Sequence, residues 1–244
     1  MNLSITLATT RRILAQLRHD HRTVGLLVGV PSVLMILLRY VIDDAAAFDR
    51  WAPMLLGVFP FIVMFIVTSV GTLRERTGGT LERLMTMPLG KLDLLMGYAL
   101  AFGLLALVQV GVVTTISILW LGLDLAGSLW MLVLVAVLDA LLGMALGLFA
   151  SAFARTEFQA VQFMPAFVLP QALLCGLVVP REHMAGWLEW ISRVLPLSYA
   201  VEAMRELARG REVTGTLVRD IAIITGCVLL ALVLGAATLR RRTA

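Results

Sequence analysis

The sequence predicts an all-α integral membrane protein with six transmembrane helices, and three observations predict it. Of the 244 residues 60% are hydrophobic and only 15% charged, against about 25% charged in an ordinary soluble domain, and the mean hydropathy is +0.94. Apolar segments recur near residues 23 to 42, 52 to 73, 94 to 121, 130 to 153, 158 to 179 and 218 to 239. At about 1.5 Å per residue each can cross a hydrocarbon core of about 30 Å. The alternating pattern of a transmembrane barrel is absent, and open strands would leave backbone groups unpaired in lipid at several kcal/mol each.

Residues 1 to 22 carry charges throughout, which excludes the uninterrupted apolar core of a cleavable signal peptide. Leu3, Leu7, Thr10, Leu14 and Leu17 recur at helical spacing, with Arg11, Arg12 and Arg18 off the stripe. The N-terminus therefore reads as an amphipathic elbow lying along the inner membrane surface before the first span. Twelve Arg and Lys residues flank the spans on the side of the termini and of loops 2 and 4, against six on the other side. Cytoplasmic termini follow. The five arginines of loop 5 run against this bias, but Glu182, Glu189, Glu202, Glu206 and Glu212 match them. One Lys beside nineteen Arg points to a GC-rich bacterial genome, and hence to a bacterial cytoplasmic membrane.

Pro31, Pro60, Pro165 and Pro170 fall inside expected spans, where each removes a helix hydrogen bond that neighbouring helices or a hydrated cavity must cover. Two prolines with Gln162 and Gln171 make the fifth span a candidate pathway lining. In the fourth span Ala136, Ala140, Gly143, Gly147 and Ser151 form a small-residue strip suited to close helix packing. Asp139 beside that strip and Gln109 in the third span are the main intramembrane polar groups. Asp139 reads equally as a packing residue or as a proton or substrate site. Cys175 and Cys227 lie within spans and read as small buried residues rather than a disulfide or metal pair.

Two loops carry further structure. In loop 2, residues 74 to 93, Gly78 and Gly79 loosen the chain, Thr80 can cap a helix, and Pro88 stops it about two turns later. Leu81, Leu84 and Met85 share one face, while Glu82 and Arg83 point away, so the helix can rest on the membrane domain and offer its charges to a soluble partner. An amphipathic linker on lipid headgroups is the alternative. In loop 5, residues 180 to 217, Met184, Trp187, Leu188 and Ile191 make one apolar face, and Trp190 suits the interface. A second short helix is expected from Ser198 to Arg209, with Ala200, Ala203, Met204 and Leu207 facing inward and Gly210 ending it. This exterior hairpin is a plug or an outer gate, with Trp187, Pro196 and Tyr199 as gate candidates.

Arg-Glu-Arg-Thr-Gly-Gly-Thr-Leu-Glu-Arg-Leu at 74 to 84, Pro88-Leu89, Pro180 to Met184, Trp187-Leu188 and Leu195-Pro196-Leu197-Ser198-Tyr199 with Glu202 and Arg205 carry a resemblance. With these motifs the whole chain, read as a single permease domain over 1–244, resembles the type-2 permeases of the ABC exporter superfamily, near the daunorubicin-resistance and multidrug branch. The resemblance implies a second permease subunit, identical or homologous, and two cytoplasmic ATPase subunits that grip the loop 2 coupling helix and the elbow. It makes Glu75, Thr80, Leu81, Glu82, Arg83 and Leu84 the coupling residues, with Arg11 and Arg12 in the elbow. ATP and Mg would sit on the ATPases, and this chain would bind no cofactor.

The residues themselves lack a G-x-x-x-x-G-K-[ST] phosphate loop, since Gly90-Lys91 is followed by Leu92 and has no upstream glycine. The energy source is then another chain or an ion gradient. An ion-coupled carrier would want several internal ionisable groups, and Asp139 alone supplies few. An intramembrane enzyme is disfavoured, because His19, His21 and His183 all lie outside the spans and no H-E-x-x-H occurs. No clustered basic and aromatic stripe suggests nucleic acid. Within the exporter class the apolar spans favour a drug, antibiotic or lipid-like substrate. A polysaccharide-type or haem-related permease, or half of an antibiotic or bacteriocin self-protection pump, are the other readings.

Overall fold

The computed structural model describes residues 3–78, 90–210 and 213–238. They form α1 (Leu3–His19), α2 (His21–Val41), α3 (Ala45–Thr77), α4 (Lys91–Leu119), α5 (Leu129–Ser151), α6 (Glu157–Leu174), a 3-10 turn (Arg181–His183), α7 (Gly186–Val194), α8 (Leu197–Arg209) and α9 (Gly215–Thr238). Five segments are long and apolar enough to cross a membrane: His21–Val41, Ala45–Thr77, Met96–Leu119, Leu129–Ser151 and Gly215–Gly235. Helix α6 stands where the fifth span was expected. Its 18 residues include Glu157, three glutamines and two prolines, and it would reach about 27 Å.

Local chemistry sets the boundaries. Asp20 separates α1 from α2: its carboxylate accepts from the Thr23 amide at 3.2 Å and from the Thr23 hydroxyl at 2.6 Å, satisfying an otherwise orphaned N-terminal donor. Those bonds hold the Asp20 carboxyl below the usual aspartate range. Residues 45 to 51, expected as loop, are instead the start of α3. Asp44 accepts from the Ala46 amide at 3.0 Å, and the alanines that follow have the strongest helix propensity. Helix α6 stops at Leu174 rather than near 179, because Gly176 turns the chain with φ of 88°, a conformation glycine adopts without steric cost. The Thr214 hydroxyl accepts from the Leu217 amide at 3.1 Å and starts α9 before the expected 218.

Helix α5 is the hub, packed by α3, α4, α6, α8 and α9. Its tightest partner is α3. A Cβ added to Gly143 would lie 2.2 Å from the Phe61 carbonyl oxygen, and one on Gly147 would lie 2.5 Å from that of Phe65. The expected small-residue strip thus lies buried from Ala136 to Ser151, and two helix backbones touch along one full turn. Such contact gains dispersion energy and Cα–H to carbonyl attraction that larger residues would block. Pro31, Pro53 and Pro60 are buried within α2 and α3, which continue through them.

The N-terminal helix packs through Thr10 of its expected stripe and the threonines beside it, with Leu14 and Leu17 half-buried against the core. Leu3 and Leu7 are exposed, while Thr6, Thr9, Thr10 and Ile13 are buried. The reason is α4: Thr9 side-chain atoms lie 2.6 Å from where a Cβ of Gly97 would stand, and the Thr10 hydroxyl donates to the Gly97 carbonyl at 3.2 Å. Threonine is short enough for that approach and leucine is not. In α8 the expected inward residues Ala200, Ala203, Met204 and Leu207 are all buried, against α3, α5 and α9. In α7 the expected apolar face divides: Trp187 and Ile191 are exposed while Met184 and Leu188 are half-buried, Trp190 is exposed, and Ser192 is buried. Met184 precedes that helix.

Two outcomes follow. Gly143→Ala is expected to cost about 1–3 kcal/mol or more through overpacking, read as a lower unfolding temperature of the solubilised protein, while Gly226→Ala, with nothing near its Cβ, leaves it unchanged. Asp20→Ala is expected to cost about 1 kcal/mol. Because folding favours the carboxylate, that difference is present above the ordinary aspartate value of about 3.9 and vanishes as pH falls through the lower folded value, which a pH series of melts would trace.

Candidate coupling site at the foot of α3

With 33 residues, α3 runs about 50 Å and outreaches any hydrocarbon core. Its last turns carry Arg74, Glu75 and Arg76, and Gly78 caps it by donating to the Arg74 carbonyl at 2.9 Å. Two arginines at a helix C-terminus complement the macrodipole, while Glu75 opposes it. Glu75 is accordingly partnered twice on one oxygen. The Arg12 guanidinium of α1 lies 3.4 Å from Glu75 Oε2, and the hydroxyl of Tyr98, a buried residue of α4, donates to the same oxygen. Arg74 makes a forked pair with Glu157, Nε to Oε1 at 2.8 Å and Nη2 to Oε2 at 3.0 Å. One turn of α3 is therefore tied to α1, α4 and α6.

The structure brings Glu75 and Arg12 together, whereas Arg11 points to the exposed side of α1. Thr80, Leu81, Glu82, Arg83 and Leu84 lie outside the described residues. Sequence reasoning missed Tyr98 and Glu157, whose signals were available: a lone tyrosine two turns into an apolar helix, and a glutamate beside a Thr156 cap that accepts from Gln159 at 3.2 Å. Among the described residues no group of three His, Cys, Asp or Glu side chains could hold a metal ion.

The candidate pathway and gate residues divide. Gln162, Pro165 and Pro170 are exposed on α6, while Gln171 is buried and donates through Nε2 to the Phe167 carbonyl at 3.1 Å. Trp187 is 68% exposed. Pro196 caps α8, and the Tyr199 hydroxyl donates to the Arg193 carbonyl at 2.6 Å with the Arg181 guanidinium over its ring. Arg181 ion-pairs with Glu202, which also lies 3.7 Å from Arg219 of α9. Arg205 donates to the Gly176 carbonyl, and Thr214 to Glu206. The connection between α4 and α5 closes on the same region: a Cβ at Gly127 would lie 2.3 Å from the Leu207 carbonyl oxygen and 2.9 Å from that of Gly210. In the bundle Gln109 and Asp139 are fully buried, and neither side chain has a hydrogen-bond partner among the described residues.

The family model for ABC-2 type transporters matches residues 4–208, from the elbow to the end of α8. The chain belongs to the ABC-2 type transporter family. Similar members include ABC transporter G family member 20 of Dictyostelium discoideum, 30% identical over 65% of this chain and 22% of that protein. Another is the Probable multidrug ABC transporter permease YbhR of Escherichia coli, 30% identical over 65% of this chain and 44% of the relative. The Inner membrane transport permease YhhJ of Escherichia coli is 28% identical over 61% of this chain and 40% of its own length. The matched segments make up less than half of each of these relatives. Within the family match fall the three side chains that converge at the foot of α3.

Tyr98→Phe and Glu75→Gln are expected to destabilise the solubilised protein by about 1.5–3 kcal/mol each, the scale of a hydrogen bond to a charged group, with strong non-additivity in the double variant. Arg74→Ala, which breaks a solvent-exposed pair, is expected to cost about 0–1 kcal/mol. Unfolding midpoints in denaturant would rank the three.

Proposed function

We propose that this chain is the membrane-spanning permease subunit of an ATP-driven exporter that moves a hydrophobic or amphipathic molecule out of the cell. The family match over residues 4–208 carries the reading, and the word multidrug in a relative's name supports the substrate class. Two ATPase subunits, holding ATP and Mg, would engage the segment with Thr80, Leu81, Glu82, Arg83 and Leu84, together with Glu75 and the elbow around Arg11 and Arg12. A second permease subunit, identical or homologous, would complete the pathway. In this reading α6 is a sixth crossing, both termini are cytoplasmic, the α7–α8 hairpin is exterior, and the membrane is a bacterial cytoplasmic membrane.

The foot of α3 supports the coupling step. A push on the segment after Gly78 reaches α1 through Arg12, α4 through Tyr98 and α6 through Glu157. It then travels along α3 to the Gly143 and Gly147 contacts, so α3 and α5 move as one body. Helix α8, wedged against both, would feel the motion at the other end. This chain's own part is mechanical: it turns displacement at one side into rearrangement at the other, and its mostly apolar helices offer a greasy surface to the cargo.

Gentle affinity purification from native membranes, with mass-spectrometric stoichiometry, is expected to recover a P-loop ATPase in equal amount. Glu82→Lys is expected to leave the protein inserted and to abolish export. Normal export by that variant, or no ATPase even after crosslinking through a cysteine at 82, would overturn the coupling assignment.

A further inference from the structure

Asp139 sits in the middle of α5 with its side chain wholly buried, and among the described residues neither carboxyl oxygen has a hydrogen-bond partner. Its surroundings are set by the crossing of three helices. A Cβ placed on Gly57 of α3 would lie 3.6 Å from Asp139 Oδ2 and 3.5 Å from both Cγ and Cε of Met204 in α8. Asp139 and Met204 therefore both approach Gly57, and α8 is seated on α3 and α5 beside the carboxyl.

Among the described residues no cation faces it from any helix packed on α5. α3 has no ionisable side chain from Trp51 to Leu73, α4 none after Tyr98, and α6 none after Glu157 until Cys175, which lies within electrostatic reach of Asp139. On α8, Glu202 is paired with Arg181 and Arg219, Arg205 is bound to the Gly176 carbonyl, Glu206 to Thr214 and Tyr199 to the Arg193 carbonyl. Arg209 is exposed. On α9, Arg219 bonds to Asp220, and Cys227 is uncharged as a thiol. A carboxylate sealed here would stand several kcal/mol above its solvated state, whereas a carboxylic acid carries no net charge.

We propose that Asp139 is a proton-binding site coupled to the seating of α8. The carboxyl holds its proton while α8 lies on Gly57 and α5. When α8 withdraws and water enters, the O–H bond breaks, the proton passes to water and the carboxylate remains; reseating takes a proton back. Linkage fixes the sign, since the withdrawn state binds fewer protons. Low pH favours the seated hairpin, and rising pH shifts the balance toward the withdrawn one by up to about tenfold per pH unit. The proposal concerns packing within this chain and stands apart from whether an ATPase drives it.

The test uses the purified full chain in detergent, with Cys175→Ala and Cys227→Ala and a reporter thiol from Ala200→Cys, a buried position on α8. Its modification by a charged methanethiosulfonate is timed across mildly acid to mildly alkaline pH, with and without Asp139→Asn. The ratio of the two rates at each pH cancels the thiol's own titration. It is expected to climb with pH by up to about tenfold per unit, because the amide cannot ionise; a flat ratio would overturn the proposal. Should the Asn variant fail to fold, infrared spectra of the chain carrying isotope-labelled aspartate decide the matter, the Asp139 signal being the part lost in Asp139→Glu. A protonated-carboxyl band persisting at neutral pH is the expected result, and carboxylate bands alone would overturn it.

Discussion

The contact between the α3 and α5 backbones at Phe61 with Gly143 and Phe65 with Gly147 is the constraint on which the rest of the bundle depends. Lipid supplies no hydrophobic drive for two apolar helices to associate, so their affinity comes from close dispersion contact. Only a residue without a side chain allows the approach. Once α3 and α5 are locked, α8 has a groove between them, α9 has a wall to close it, and α6 lies along α3.

Polar interactions occupy the two ends and leave the middle nearly bare. At one end Arg12, Glu75, Tyr98 and the Arg74–Glu157 pair join four helices. At the other, Arg181, Glu202 and Arg219 bind the hairpin to α9. Between them stand Gln109 and Asp139, buried without hydrogen-bond partners among the described residues. The ends are thus cross-braced by directional bonds, while the middle is held by shape. That division lets the helices move as rigid bodies, because the joints at their ends are directional and stiff.

Helix existence and the inward face of α8 were legible in the sequence because hydropathy and periodicity report burial directly. The strip from Ala136 to Ser151 was legible because small residues at helical spacing have one dominant use in a membrane. The threonine contact of α1 with α4 was not. Hydropathy turns the leucines toward lipid and is silent on Thr9, which packs because Gly97 lets α4 come close, and proximity of that kind depends on a residue far away in the chain. The early start of α3 was hidden for a related reason: Asp44 and the alanines after it make a good helix start, yet Asp49 and Arg50 look like loop. At the foot of α3, Glu75 and Arg12 could be named from their motifs, while Tyr98 and Glu157 could not be joined to them without knowing which helices are neighbours.

The fit of Gly127 beneath the carbonyls of Leu207 and Gly210 bears on biosynthesis. The α4–α5 connection emerges from the ribosome well before residues 207 and 210 exist, so its final resting place is built only after most of the chain has entered the bilayer. Helices α3 and α5 can meet earlier, since both strips of their contact are then already made. The turn around Gly127 therefore locks only when α8 arrives as a late-fitted wedge, and α9, made later still, packs against both α5 and α8.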